Sequence, residues 1–137
     1  MKLIAYLFFD GQCEAAFKFY EQCLGGTMNR IVRASEAPGC GAMPAESRDR
    51  IMHAHLTFGD QQLMGSDWMA DQPFEQAKGF SISLNVDTVA EAERIFAALT
   101  EGGEIRMPME KTFFSARFGM LADRFGTPWM VNCEKDG

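Results

Sequence analysis

From Phe80 to Val86 the chain alternates without a break: Phe80, Ile82, Leu84 and Val86 are apolar, while Ser81, Ser83 and Asn85 are polar. Successive strand side chains point to opposite faces, so this period of two predicts a β-strand with one face under a helix and a polar face towards a concavity or solvent. The same parity applied to Ile51–Phe58 places Met52, Ala54, Leu56 and Phe58 under a helix, and Ile51, His53, His55 and Thr57 on the polar side. Further strands are expected at Leu3–Phe9, Met28–Ala34, Gln62–Asp67, Glu104–Met109, Ser115–Ala122 and Trp129–Cys133, with turns at Gly59-Asp60 and Asp123–Gly126.

Two stretches switch to the helical period. Thr88-Val-Ala-Glu91 is a capping-box pattern, Val89, Ala92, Phe96 and Leu99 make one apolar stripe, and Gly102-Gly103 supplies the left-handed stop. Earlier in the chain, Cys13, Phe17, Tyr20 and Leu24 make the matching stripe before Gly25-Gly26. Laid over one another at an offset of 77, the two stretches share Leu7/Leu84, Asp10/Asp87, Glu14/Glu91, Ala15/Ala92, Phe19/Phe96, Gly25/Gly102 and Gly26/Gly103. That many identities over so short a window point to a duplicated unit. The expected architecture is therefore α+β: βαβββ twice, in pseudo-repeats at about 1–70 and 78–137, within one domain of 137 residues.

Charge and cysteines narrow the function. A formal charge of −6 and a pI near 4.9 argue against nucleic acid or an anionic membrane, which demand clustered Lys and Arg. The apolar run from Leu3 to Phe9 stops at Asp10-Gly11 with no small-x-small cleavage pattern, so a first strand and a cytoplasmic protein are expected. Cys13, Cys23, Cys40 and Cys133 have neither CxxC nor zinc-ribbon spacing, and free thiols are the expectation. Cys40 in "PGCGAMP" is read as an inert loop thiol, having no electropositive neighbour in the sequence.

The doubled βαβββ unit resembles the vicinal oxygen chelate superfamily, to which glyoxalase I, extradiol dioxygenases and the bleomycin and fosfomycin resistance proteins belong. "AYLFFDGQCEAAFKFYEQCLGG", "RIMHAHLTFGDQQLMGSD" and "SARFGMLADRFGTPWMVN" look like its PhnB-like branch, most specifically in the order Asp123, Phe125-Gly126, Trp129 and Met130-Val131-Asn132. The resemblance implies curved mixed sheets around a ligand cup, helices outside, and a homodimer. It also implies four metal-ligand slots, at or beside Ala5, Gly65, Ser81 and Met130, with Ile4 or Tyr6 replacing Ala5 if the first strand slips by one. None is a good ligand in either register. PhnB-like proteins have also carried a demethylubiquinone methyltransferase label, but no glycine-rich loop follows a strand and opens a helix.

Candidate chemistry concentrates on the polar faces. His53 and His55, the only histidines, could hydrogen-bond a ligand together with Thr57, Ser81, Ser83, Asn85 and Asn132. Arg117 could clamp an anionic group or sit in a salt bridge. Met64, Met69, Met120 and Met130 could form a pliable apolar wall or serve as core filler. The leading expectation is a metal-independent, homodimeric binding protein for a small amphipathic molecule. The competing one is a lyase, isomerase or dioxygenase-type metalloenzyme with displaced ligands, His53 and His55 with Asp67 or Glu110. A third is a protein-interaction module using Ser35–Asp49 and Phe19, with a vestigial cup.

Overall fold

The computed structural model describes residues 1–36, 45–70 and 72–135. It divides into two compact units, Met1–Gln76 and Ala77–Gly137. Cys40 and most of the Ser35–Asp49 segment lie outside the described residues.

The first unit runs β1 (Ala5–Phe9), α1 (Cys13–Leu24), β2 (Thr27–Arg33), a 3-10 turn (Ala34–Glu36), α2 (Ala45–Arg48), β3 (Ile51–Phe58) and β4 (Gln61–Asp67). Its sheet order is β1-β4-β3-β2, with β1 parallel to β4 and the other pairs antiparallel. The second unit repeats the plan with β5 (Ile82–Asn85), α3 (Val89–Thr100), β6 (Glu104–Glu110), β7 (Arg117–Ala122) and β8 (Pro128–Cys133), in the order β5-β8-β7-β6. The βαβββ duplication expected from the sequence is present, and each sheet is mixed. No helix among the described residues is long and apolar enough to cross a membrane.

Both helices bury most of the stripes read from the sequence, with Leu24 and Val89 only half-buried. Along α1, Cys13, Ala16, Phe17, Tyr20 and Cys23 are buried; along α3, Ala92, Ile95, Phe96 and Leu99 are. A fully buried Phe or Leu contributes about 1.5–3 kcal/mol, which makes these stripes the main force holding each helix on its sheet. Thr88 caps α3 through its side chain, accepting from the Glu91 backbone N–H at 3.1 Å. Gly25 and Gly102 both take the left-handed conformation, with φ of 72° and 75°.

Close packing shows which sheet face belongs to which helix. A Cβ on Gly65 would lie 2.7 Å from the Phe17 ring and 2.8 Å from the Leu7 carbonyl oxygen, so Gly65 lies under α1. Gly119 stands likewise under α3, with the Phe96 ring 2.8 Å from where a Cβ would be.

The strand parity needs two corrections. Met52 is 43% exposed and Ile51 is buried, the reverse of the expectation, whereas Ala54 and Leu56 are buried as expected. Val32 pairs with His53 and Arg33 with Ile51, so Met52 is the extra residue of a β-bulge, and a bulge reverses which residues face the helix. Phe80 is also 49% exposed, because it precedes β5 and is not held in the sheet.

Candidate functional site

In the first unit the face away from α1 carries Tyr6 and Phe8 of β1, Gln62, Met64 and Ser66 of β4, and His53, His55 and Thr57 of β3. Side-chain alternation and the register His55 to Met64 to Tyr6 place them there. The two imidazoles lie 6.5 Å apart, centre to centre. Tyr6 reaches across β4, its hydroxyl 3.3 Å from His53 Nδ1 and its ring 5.9 Å from the His53 ring. His55 Nε2 meets Gln62 Oε1 at 2.8 Å, and Thr57 donates to Asn29 Oδ1 at 3.1 Å. Partial burial, reinforced by the nearby His55 and Arg30 charges, lowers the His53 pKa below its ordinary value. Desolvation and like charges both disfavour the imidazolium, so His53 is biased towards the neutral form.

The aromatic neighbours extend this face. Tyr6 and Phe8 are 5.2 Å apart and Phe8 meets Trp68 edge-on at 5.2 Å, with all three rings exposed. The sequence reading weighed Tyr6 only as a metal-ligand slot in a slipped register, and passed over Phe8 and Gln62. Their signal was available: in Ala5-Tyr-Leu-Phe-Phe9, Tyr6 and Phe8 take the parity opposite to buried Leu7 and Phe9.

In the second unit Ser83, Asn85, Met130 and Asn132 share the face away from α3, on paired strands β5 and β8. Asn132 donates to Asn85 Oδ1 at 3.0 Å, Asn85 approaches the Ser83 hydroxyl at 3.5 Å, and buried Ser115 donates to Asn132 Oδ1. Asn85 and Asn132 also line a cleft of about 230 Å³ with Asp87, Glu134 and Lys135. Ser81 lies just before β5. Met120 and Met130 face one another across β7 and β8, and they and Met64 are half-buried rather than core filler.

Arg117 departs from this row. It shares the parity of Gly119 and Leu121 on the α3 side of β7, where Nε bonds Glu93 Oε1 at 3.1 Å and Nη1 bonds the Ala116 carbonyl at 2.7 Å. The structure thus gives Arg117 an ion pair to α3 and not an anion clamp among Ser83, Asn85 and Asn132. The sequence left its direction open because both faces of this strand are largely apolar.

Among the described residues, the positions weighed as divalent-metal ligands do not converge on one donor set. Ala5 shares the helix side with Leu7, leaving Tyr6 on the open face; Gly65 lies under Phe17; Ser81 and Met130 offer a hydroxyl and a thioether. Asp67 cannot join His53 and His55, because its Oδ1 accepts from the Cys13 backbone N–H at 2.9 Å and its Oδ2 from that of Ile51 at 2.8 Å. Its carboxylate ties the starts of α1 and β3 to the end of β4. Glu110 stands at the end of β6 in the other unit. Among the described residues no three His, Cys, Asp or Glu side chains cluster as a metal site. Phe19 is half-buried, its ring 6.0 Å from that of Tyr20.

The sequence model of a family described as 3-demethylubiquinone-9 3-methyltransferase matches residues 1–132. The chain belongs to this PhnB-like family of the vicinal oxygen chelate superfamily. Among its relatives, Protein YjdN of Escherichia coli (strain K12) is 32% identical over 143 residues, covering 98% of this chain and 97% of that one. The crystal structure of protein PA1353 from Pseudomonas aeruginosa is 50% identical, with a TM-score of 0.92 over 99% of both chains. The PhnB protein from Bacillus cereus is 26% identical, with a TM-score of 0.80 over 97% of this chain and 99% of that one. At 11% identity and a TM-score of 0.64, the fosfomycin resistance protein FosX from Mesorhizobium loti covers 96% of this chain and 90% of its own, and shares the fold alone. The fold of this PhnB-like protein is that of the glyoxalase and bleomycin resistance group.

The family's methyltransferase description would call for a nucleotide-type cofactor, and among the described residues no glycine-rich loop follows a strand and opens a helix. Between β1 and α1 stands a single glycine, Gly11, above which a Cβ would meet the Arg50 guanidinium at 3.6 Å. The paired glycines Gly25-Gly26 and Gly102-Gly103 follow helices rather than opening them.

Proposed function

We propose that this PhnB-like protein binds a small amphipathic molecule against the polar faces of its sheets, without a metal. The observation that carries the reading is the state of the two histidines. Each ring is engaged by a neutral neighbour, Tyr6 or Gln62, and exposed aromatic rings lie beside them on the same face. A neutral His53 beside a tyrosine hydroxyl offers both donor and acceptor, and the Tyr6 and Phe8 rings offer apolar area at low entropic cost. Ser83, Asn85 and Asn132 provide a second hydrogen-bonding row. We further propose a homodimeric, cytoplasmic protein.

Native mass spectrometry and elemental analysis of the dialysed protein test this reading. A copurified small molecule that is lost on Tyr6→Ala or His53→Ala supports it. A stoichiometric divalent metal that disappears in the His53→Ala/His55→Ala double variant refutes it, and would revive the metalloenzyme alternative.

A further inference from the structure

β2, an edge strand of the first sheet, brings one more side chain to the face that carries the histidines. Its register pairs Met28 with Leu56, then Arg30 with His55 and Val32 with His53, so Asn29 is the extra residue of a bulge. That bulge re-aims the strand: without it Asn29 would stand opposite His55, and Arg30 would turn towards α1. With it, Arg30, His55, Met64 and Tyr6 form one row across β2, β3, β4 and β1.

The positive charge at the end of this row has no counterpart. Arg33 turns to the α1 side, where Nη2 lies 2.8 Å from Glu14 Oε1, and Arg50, just before β3, holds Asp10 Oδ1 at 3.0 Å. Arg30 has neither an ion pair nor a hydrogen bond among the described residues. None of the strand residues that alternation places on this face is Asp or Glu, although the chain carries a formal charge of −6. Asp67, at the end of β4, takes the other parity, its carboxylate committed to the Cys13 and Ile51 backbone N–H groups. Burial first, and then the His55 and Arg30 charges, lower the His53 pKa, so the Arg30 charge reaches the histidines.

We propose that the molecule bound on this face is a monoanion: an apolar ring on a short chain that ends in a carboxylate, with the carboxylate held by the Arg30 guanidinium and the ring set against Met64 and Tyr6. The inference rests on the reading of this face as the ligand's, and adds the ligand's charge. A guanidinium matches a carboxylate bidentately. One uncompensated cation beside a His53 biased towards neutrality answers one negative charge, and not the two of a phosphate monoester. The row spans three strand spacings, about 14 Å, which accommodates a ring, a short chain and the Arg30 contact.

Hydrocinnamate and hydrocinnamyl alcohol, which differ in charge and little in shape, serve as probes. They are titrated into the full chain labelled with ¹³C on its methionine methyls and histidine rings. Both should saturably shift the Met64 resonance, the acid binding about five- to tenfold tighter, as suits a charge-assisted contact at an exposed site. Only the acid should raise the His53 pKa, by cancelling the nearby positive charge. Arg30→Gln should remove the acid's advantage and Arg30→Lys should keep most of it, whereas Arg33→Gln, on the α1 side, should leave it whole. Arg30 is exposed, so its variants are expected to fold. Equal binding of acid and alcohol by the parent, or an acid preference that survives Arg30→Gln, overturns the inference and leaves the amphipathic-ligand reading standing. Saturable binding of neither probe overturns the two together.

Discussion

The turn between β7 and β8 invites the most direct challenge, through Asp123. This side chain is buried, and its carboxylate accepts three hydrogen bonds: Oδ1 from the backbone N–H groups of Phe125 at 2.8 Å and Thr127 at 3.1 Å, and Oδ2 from Trp129 Nε1 at 2.8 Å. Trp129 is itself 1% exposed, so its indole N–H has no recourse to water. Asp123→Asn keeps the shape and removes one acceptor. Whichever way the amide turns, its NH₂ faces either the indole N–H or the two backbone N–H groups, and a donor meets a donor. Leaving a buried donor unsatisfied costs about 1–3 kcal/mol, and bonds to a charged group are worth about 1.5–3 kcal/mol each. We therefore expect Asp123→Asn to destabilise by about 2–3 kcal/mol and Asp123→Ala, which loses both acceptor oxygens and these three hydrogen bonds, by about 3–5 kcal/mol. Urea unfolding followed by far-UV circular dichroism measures both, and a double-mutant cycle with Trp129→Phe isolates the indole contact, expected to couple by about 1–2 kcal/mol. An Asp123→Asn loss below about 0.5 kcal/mol, or a coupling near zero, refutes the clamp. The order Asp123, Phe125-Gly126, Trp129, which carries the family resemblance most specifically, would then need a different physical cause.

Three further outcomes follow from the same coordinates. Gly65→Ala should cost about 3 kcal/mol in urea unfolding and more than Gly119→Ala: its Cβ would strike the Leu7 carbonyl at 2.8 Å, whereas the Gly119 Cβ meets a flexible methionine sulfur first and a backbone oxygen only at 3.2 Å. Because burial lowers the His53 pKa, the unfolded chain takes up the proton first as pH falls; stability should be full above about pH 6.5, decline below it, and decline less in His53→Gln. In an NMR titration His53 should titrate below 6.5, and Arg30→Ala or His55→Gln should move it back up by removing a like charge.

Much of the fold was legible because its determinants are local. Alternation in Ile82–Asn85, the Thr88 cap, the stripes of α1 and α3 and the glycines that end them are each set by residues close together in the chain. The doubled pattern then gave the strand count. What the sequence left open depends on contacts across the sheet: Arg117 turns towards α3 because Glu93 stands there, and no spacing along the chain announces an ion pair between residues 24 apart. Asp67, weighed as a metal ligand, is held by two backbone N–H groups whose positions exist only once β4 lies between β1 and β3.

The candidate site was legible in half. That His53 and His55 share a face follows from spacing alone, but their partners arrive through the strand order β1-β4-β3, which brings Tyr6 within reach of a residue 47 positions later. Parity arguments also carry a hidden assumption, that no extra residue interrupts the strand. At Met52 one does, and the consequence is more than a misassigned core position. A strand without the bulge would bury Met52 under α1 and turn Ile51 outward. With it, Ile51 completes the core and Met52 becomes a wall of a cavity beside Ser47. A single inserted residue thus decides whether this end of the sheet is closed packing or an open cavity, and it does so through hydrogen-bond register, which hydrophobic pattern alone does not encode.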